Sequence, residues 1–272
     1  MSAGLTYRMG RIFGRDGRAM ILPVDHGLML GRVPGLEDAG GLARTAAELG
    51  CDGLLMSLGL LRATAGSFAD RCAPARLLTV DTMLRAGDGD PGTGTMVASV
   101  RQAAAAGADA VKLLMPWDVP SAERAAVTRR IAAVVEEASR WEIPVMAEPI
   151  ALRTPRGDEA VELELHAARI AMELGADIVK VAYPGSKDVM RSLVDELGVP
   201  VVILGGPGAS TATDLVALVE EAMSSGASGI VIGRQVWQRA SDERSVLIRA
   251  LVDVVHGRRT AQAAIESLPS VG

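Results

Sequence analysis

The sequence predicts a single (β/α)8 TIM barrel, an α/β fold, and three observations carry that prediction. Short runs rich in Val, Ile and Leu alternate with longer Ala-, Glu- and Arg-rich stretches of helical period, which is the pattern of βα units around a parallel sheet. Eight such runs are present. The chain is 272 residues long, close to the roughly 250 that one eight-fold barrel uses. One barrel domain over residues 1–272 is therefore expected, with no internal linker.

The predicted strands are 19–24, 52–57, 76–80, 109–115, 144–149, 177–182, 200–204 and 229–232. Their continuous apolar character suits parallel strands buried on both faces rather than half-exposed ones. Four junctions repeat one device: LGCDGLLM at 49–56, AGADAVKL at 106–113, LGADIVKV at 174–181 and SGASGIVI at 225–232. In each, a glycine ends a helix in the left-handed conformation, a small or polar residue turns the chain, and a buried strand begins. Pro144 and Pro200 open two further strands at the edge position where a missing N–H does no harm. Segments 58–75 and 85–94 read as loops after strands two and three, and 150–158 as the loop after strand five. Loops that follow barrel strands build the active face.

Composition narrows the function. Hydrophobic residues make up 49% and charged residues 22%, enough apolar side chain for a core and no case for disorder. Aromatics are only 3%, leaving the small and branched side chains that fill barrel interiors. The net charge is −5, the pI is near 5.4, and no Lys/Arg cluster runs along any segment; nucleic acid is therefore not expected as a partner. Two cysteines, Cys51 and Cys72, cannot staple a fold of this size, and the N-terminal residues lack the apolar core of a signal peptide. A cytoplasmic location is expected, and no apolar run approaches the 18 or so residues of a membrane helix.

The chemistry is concentrated at strand ends. Lys180, in ADIVKVAYPG, lies within the sixth strand. A lysine pointing into a barrel is desolvated, which lowers its pKa and enlarges the nucleophilic fraction able to form an imine; the alternative is a strand-end lysine that snorkels to water. Lys112, in ADAVKLLMP, holds the same place in its own repeat, and two neighbouring cations would depress each other's pKa. Glu148 ends the apolar run IPVMAEP, where burial without a partner would be costly. Paired with an inward lysine it is a candidate acid/base group, or else an ordinary strand-end salt bridge. Asp25 and His26 close the first strand in ILPVDHG. A carboxylate there reads as a site residue, while His26 either joins the chemistry or bonds backbone at the rim. His166 falls in a helical stretch and reads as a surface or packing residue, and the three histidines form no metal-ligand spacing with Cys, Asp or Glu. No metal and no cofactor are expected.

A phosphate site is expected after the last two strands. LGGPGAS at 204–210 leads into a helix that begins near Ser210 and Thr211, and GIVIGRQVWQ places Gly233 and Arg234 at the end of strand eight. Glycine backbones with a helix N-terminus form the usual phosphate cradle of this architecture, so Gly205, Gly206, Gly208 and Gly233 are candidate backbone ligands and Arg234 a candidate bidentate cation. The alternative is glycine required by the turns alone.

Together, PVDHG, DIVKVAYPG, the GGPG loop and the GxVIGRxVWQ ending resemble the archaeal-type class I fructose-bisphosphate aldolases, a superfamily that includes aminodideoxyheptulosonate synthase and the autoinducer-2 phosphate thiolase. The resemblance covers nearly the whole chain. It implies that Lys180 forms the Schiff base, that Asp25 assists proton transfer and that the two late glycine loops bind phosphate. One departure stands out. The archaeal-type enzymes carry a catalytic tyrosine after strand five, in a pattern like Trp-Met-Tyr-Pro-Arg-Gly, whereas this chain reads AEPIALRTPRG. The stretches DAVKLLMPWDVP and VMAEPI are instead similar to tagatose-bisphosphate and sulfosugar-phosphate aldolases, in which residues matching Lys112 and Glu148 share the acid/base work. An Ala-, Gly- and Arg-rich composition adds a similarity to the secondary-metabolite aldolases that join dihydroxyacetone phosphate to aspartate semialdehyde. The expected activity is aldol chemistry on a phosphorylated ketone and an aldehyde, in a homo-oligomer. Transaldol transfer or thiolysis of a phosphorylated diketone is the first alternative, and a non-catalytic sugar-phosphate-binding barrel the second.

Overall fold

The computed structural model describes residues 2–83, 94–205 and 211–268. Eight parallel strands close a barrel: β1 (Ala19–Pro23), β2 (Gly53–Met56), β3 (Ala75–Thr79), β4 (Ala110–Pro116), β5 (Val145–Ile150), β6 (Ile178–Ala182), β7 (Val201–Leu204) and β8 (Gly229–Val231). Each pairs with its sequence neighbours, and β1 with β8 completes the ring. All eight predicted strands are present, none displaced by more than one residue at either end. The four repeated glycines behave as expected: Gly50, Gly107, Gly175 and Gly226 have φ of +93°, +71°, +97° and +99°, a conformation that costs a side-chain-bearing residue energy.

The helices alternate with the strands. They are α1 (Ala3–Phe13), α2 (Gly27–Leu30), α3 (Ala39–Glu48), α4 (Leu58–Ala63), α5 (Val100–Ala105), α6 (Ser121–Trp141), α7 (Asp158–Glu173), α8 (Lys187–Leu197), α9 (Ala212–Ser224), α10 (Arg234–Trp237), α11 (Ser241–Val255) and α12 (Ala261–Ile265). Among the described residues no helix is long and apolar enough to cross a membrane. Two features depart from the sequence reading. Segment 58–75 is not a plain loop, because Ser57 accepts from the Leu60 N–H and caps α4, with a 3-10 turn at Ala65–Phe68 following. A short antiparallel pair, Asp81–Thr82 with Thr95–Met96, extends the chain past β3. The predicted loop 85–94 lies, apart from Gly94, outside the described residues.

The barrel interior is apolar below its mouth. Ile21, Leu55, Leu77, Met146, Ile178 and Val202 pack into one buried cluster. From below, α1 adds Ile12 and Phe13 to the same cluster. That helix is tied down by Arg11 Nε donating to Asp109 Oδ1 at 2.8 Å and by Gly4 N donating to Glu142 Oε2 at 2.7 Å. With the lower end plugged, the next layer of side chains lies toward the C-terminal ends of the strands, the face on which barrels of this kind carry their sites.

Candidate active site

Side chains on a strand alternate between faces. Two residues beyond Leu77, Ala110, Met146 and Ile178 in the interior cluster come Thr79, Lys112, Glu148 and Lys180. Four polar side chains from four consecutive strands thus stand on top of an apolar plug, each nine-tenths or more buried. Chain registry makes Lys112 the direct neighbour of Thr79 and sets Glu148 opposite Leu114.

The carboxylate of Glu148 bridges the two lysines, with Lys180 Nζ 2.8 Å from Oε1 and Lys112 Nζ 2.5 Å from Oε2. Burial alone would push the Glu148 carboxyl upward, but the two ammonium groups outweigh it and hold the carboxyl down to about 2. It is a carboxylate at neutral pH. Lys180 is shifted below the usual lysine value, first by burial and then by the Lys112 charge, against the opposing pull of Glu148. The mutual depression predicted for the two lysines holds for Lys180 only. Lys112 is raised: burial lowers it, but the carboxylates of Glu148, Asp81 and Asp25 outweigh that. The wall therefore separates one amine eased toward neutrality from one that stays charged.

Asp25 and His26 stand at the rim, both half-buried. Thr79 Oγ1 donates to Asp25 Oδ2 at 2.5 Å, and His26 Nδ1 approaches Asp25 Oδ1 at 3.5 Å. His26 packs edge-on against Trp237, ring centroids 5.2 Å apart. Its pKa is lowered by burial, against the pull of Asp25, and the nearby charges of Lys180 and Arg234 add to the lowering; the ring is therefore neutral at pH 7. Arg234 is exposed in the first turn of α10. Gly233 must be glycine, since a Cβ there would stand 2.6 Å from Pro23 Cγ and 2.9 Å from Trp237 Nε1. Gly205 is similarly crowded by the Gln235 side chain. Gly206 and Gly208 lie outside the described residues. Thr211 caps α9 with a reciprocal Asp214 capping box, so the helix after β7 starts where expected. His166 is exposed on α7. Among the described residues no three His, Cys, Asp or Glu side chains come together in a metal-binding group.

Several residues escaped the sequence reading. Thr79 sits on the inward period of β3 and could have been found from that spacing. Asp81 is fully buried, accepts from the Leu114 N–H through both oxygens at 3.0 Å and faces Arg130 at 3.5 Å. Burial pushes its carboxyl up to about 6, with Lys112 and Arg130 opposing. The loop where the resembling enzymes have their tyrosine is anchored by two carboxylates. Asp118 Oδ2 accepts from the N–H groups of Arg153 and Thr154, while Glu164 accepts from Ala151 N and Arg156. Tyr183 does not fill the gap, because its hydroxyl donates to Glu221 Oε1 at 2.6 Å.

Comparison with known proteins identifies the family. The model of the DeoC/LacD family aldolases matches residues 19–239. A 2-amino-3,7-dideoxy-D-threo-hept-6-ulosonate synthase of Halobacterium salinarum is 34% identical over 97% of this chain and 96% of its own. A 2-amino-4,5-dihydroxy-6-oxo-7-(phosphonooxy)heptanoate synthase of Streptomyces griseus is 30% identical over 94% of this chain and 92% of its own. A solved archaeal fructose-1,6-bisphosphate aldolase, with its catalytic lysine covalently bound to the carbinolamine intermediate of the substrate, superposes with a TM-score of 0.77. It is 30% identical over 93% of this chain and 100% of that one. The chain belongs to the DeoC/LacD family of class I, Schiff-base aldolases and is a lyase built on a (β/α)8 barrel.

Proposed function

We propose that the chain is a metal-independent aldolase in which Lys180 forms an imine with a three-carbon ketone phosphate, dihydroxyacetone phosphate, and joins it to an aldehyde. The observation that carries this reading is the burial of Lys180 beside Lys112, which lowers its pKa while Glu148 stays 2.8 Å away to handle its proton. Neutral Lys180 adds to the ketone carbon. The carbinolamine hydroxyl leaves as water after protonation by Lys112, the group whose ammonium form is favoured. Glu148 passes the proton between the two amines. Asp25 then removes a proton from the donor's hydroxymethyl carbon, and the C–H electron pair moves into an enamine as the C=N pair moves onto nitrogen. The enamine attacks the aldehyde carbon, the new alkoxide takes up the proton that Asp25 removed, and water releases the product and Lys180. The iminium is the electron sink, so no step is assigned to a metal. Arg234 and the glycine loops after β7 and β8 hold the donor phosphate.

For the acceptor we propose a four-carbon amino-acid semialdehyde. The product named for the Streptomyces relative is an amino-dihydroxy-oxo-phosphonooxy heptanoate, and breaking its C4–C5 bond returns dihydroxyacetone phosphate and aspartate semialdehyde. A second reading keeps Lys180 but changes the donor, and the 34% identity to a heptulosonate synthase favours it. Borohydride trapping with each candidate ketone phosphate, read by intact mass, tests both. The expected result is a mass gain with dihydroxyacetone phosphate that vanishes in Lys180→Met. Labelling that survives in the variant would move the nucleophile elsewhere, with Lys112 the first candidate.

A further inference from the structure

One polar side chain of the inner wall has no part in the scheme above. Thr79 ends β3, is 5% exposed and is the registry partner of Lys112. A carboxylate can only accept hydrogen bonds, so the 2.5 Å contact between Thr79 Oγ1 and Asp25 Oδ2 has the hydroxyl as donor. The other oxygen, Oδ1, stands 3.5 Å from His26 Nδ1. Asp25 lies close enough to Lys112 and Lys180 to perturb both electrostatically. Among the described residues it nevertheless makes no ion pair with either: both lysines are paired to Glu148 instead.

An untethered carboxylate beside two ammonium groups would swing onto one of them and be spent as a counter-ion. From this geometry, and resting on the imine reading of Lys180, we infer that Thr79 is a positioning residue for proton transfer. Its hydroxyl pins Oδ2 of Asp25, keeps the carboxylate off the lysines and leaves Oδ1 as the oxygen that takes the donor's carbon-bound proton. Oδ1 accepts that proton as the C–H electron pair enters the enamine, and it returns the proton on reversal. His26, a neutral ring held edge-on by Trp237, borders the same oxygen.

The test separates imine formation from carbon deprotonation. Thr79→Val keeps the shape and the β-branching but removes the donor, and Thr79→Ser keeps the donor but removes the methyl. Each is assayed with dihydroxyacetone phosphate for borohydride trapping, for exchange of the hydroxymethyl proton in D2O by NMR, and for kcat and KM. Thr79→Val should trap the imine as the wild type does, while exchange and kcat fall about 10- to 100-fold, the scale of a misplaced catalytic group, with KM little changed. Thr79→Ser should recover most of that loss. Wild-type exchange in Thr79→Val overturns the assignment, as does a Ser variant no better than Val, which would make the methyl's packing the cause. Failure of the wild type to trap would instead sink the imine reading itself, and with it the role of Asp25.

Discussion

Replacing Glu148 by Gln tests the centre of the wall, because the amide is nearly isosteric and hydrogen bonds but exchanges no proton at neutral pH. The folded protein draws this carboxyl from 4.5 to about 2, which corresponds to stabilisation on the order of 3 kcal/mol. The sign follows from the direction. A depressed carboxyl contributes stability above its unfolded value, and that contribution is lost as pH falls from 4.5 toward 2. Wild type should therefore lose stability in that window more steeply than Glu148→Gln. At neutral pH the variant leaves two buried ammonium groups without their shared counter-ion, a situation that costs about 3–5 kcal/mol when nothing relaxes. Relaxation is available here, since Glu148 opposes the lowering of Lys180 and its removal makes the neutral amine easier to reach. The variant should thus still trap an imine, while turnover falls by about 10²–10⁴-fold, as for a lost acid/base group. Trapping by intact mass, turnover and thermal melts from pH 2 to 8 report the three effects. Near-normal turnover would refute the argument and return the proton-relay role to Asp25, to His26 or to a water held by Lys112.

Removing Arg234 should weaken ketone-phosphate binding by about 1.5 kcal/mol, the lower end for a charged hydrogen bond because the guanidinium is exposed; an unchanged apparent affinity would eliminate it as a phosphate ligand. His256 lies between Asp16 at 2.5 Å and Asp52 at 3.0 Å. The Asp52 hydrogen bond raises its pKa above 6.5, against burial, with Asp16 adding to the rise. Its pairing should therefore stabilise the fold fully below pH 6.5 and fade as pH rises through the folded value. A His256→Gln variant should lose that slope in thermal melts between pH 6 and 9, and an identical slope would place the effect elsewhere.

The strands were legible because parallel strands buried on both faces leave uninterrupted apolar runs, and Gly or Pro punctuates them. Lys112, Glu148 and Lys180 were legible for the same reason, as charges standing in such runs. A carboxylate paired with one inward lysine was also legible, but its sharing between both was not. Spacing puts Lys112 and Lys180 on one wall but does not say that one carboxylate bridges both, so the opposite pKa directions of the two lysines follow only from the assembled geometry. Helix α1 was missed because it precedes the first βα unit and follows no repeat, although Ile12 and Phe13 close the barrel. Asp81 was missed because a carboxylate just past a strand looks solvated in sequence, yet here it substitutes for a strand carbonyl by accepting the Leu114 N–H.

The sharing of one anion between two cations has a consequence for the reaction as a whole. Counting Lys112, Glu148 and Lys180 in their charged forms, the buried trio carries a single surplus positive charge, and the proposed iminium on Lys180 carries the same charge as the ammonium it replaces. The trio therefore presents the same charge before the donor binds and once the iminium has formed. A site of that kind has little need to reorient its dipoles between steps, and reorganisation of this sort is what makes charge chemistry slow in water. At the mouth of the barrel the exposed guanidinium of Arg234 favours anionic donors, which draws a phosphorylated substrate in before any bond to Lys180 forms.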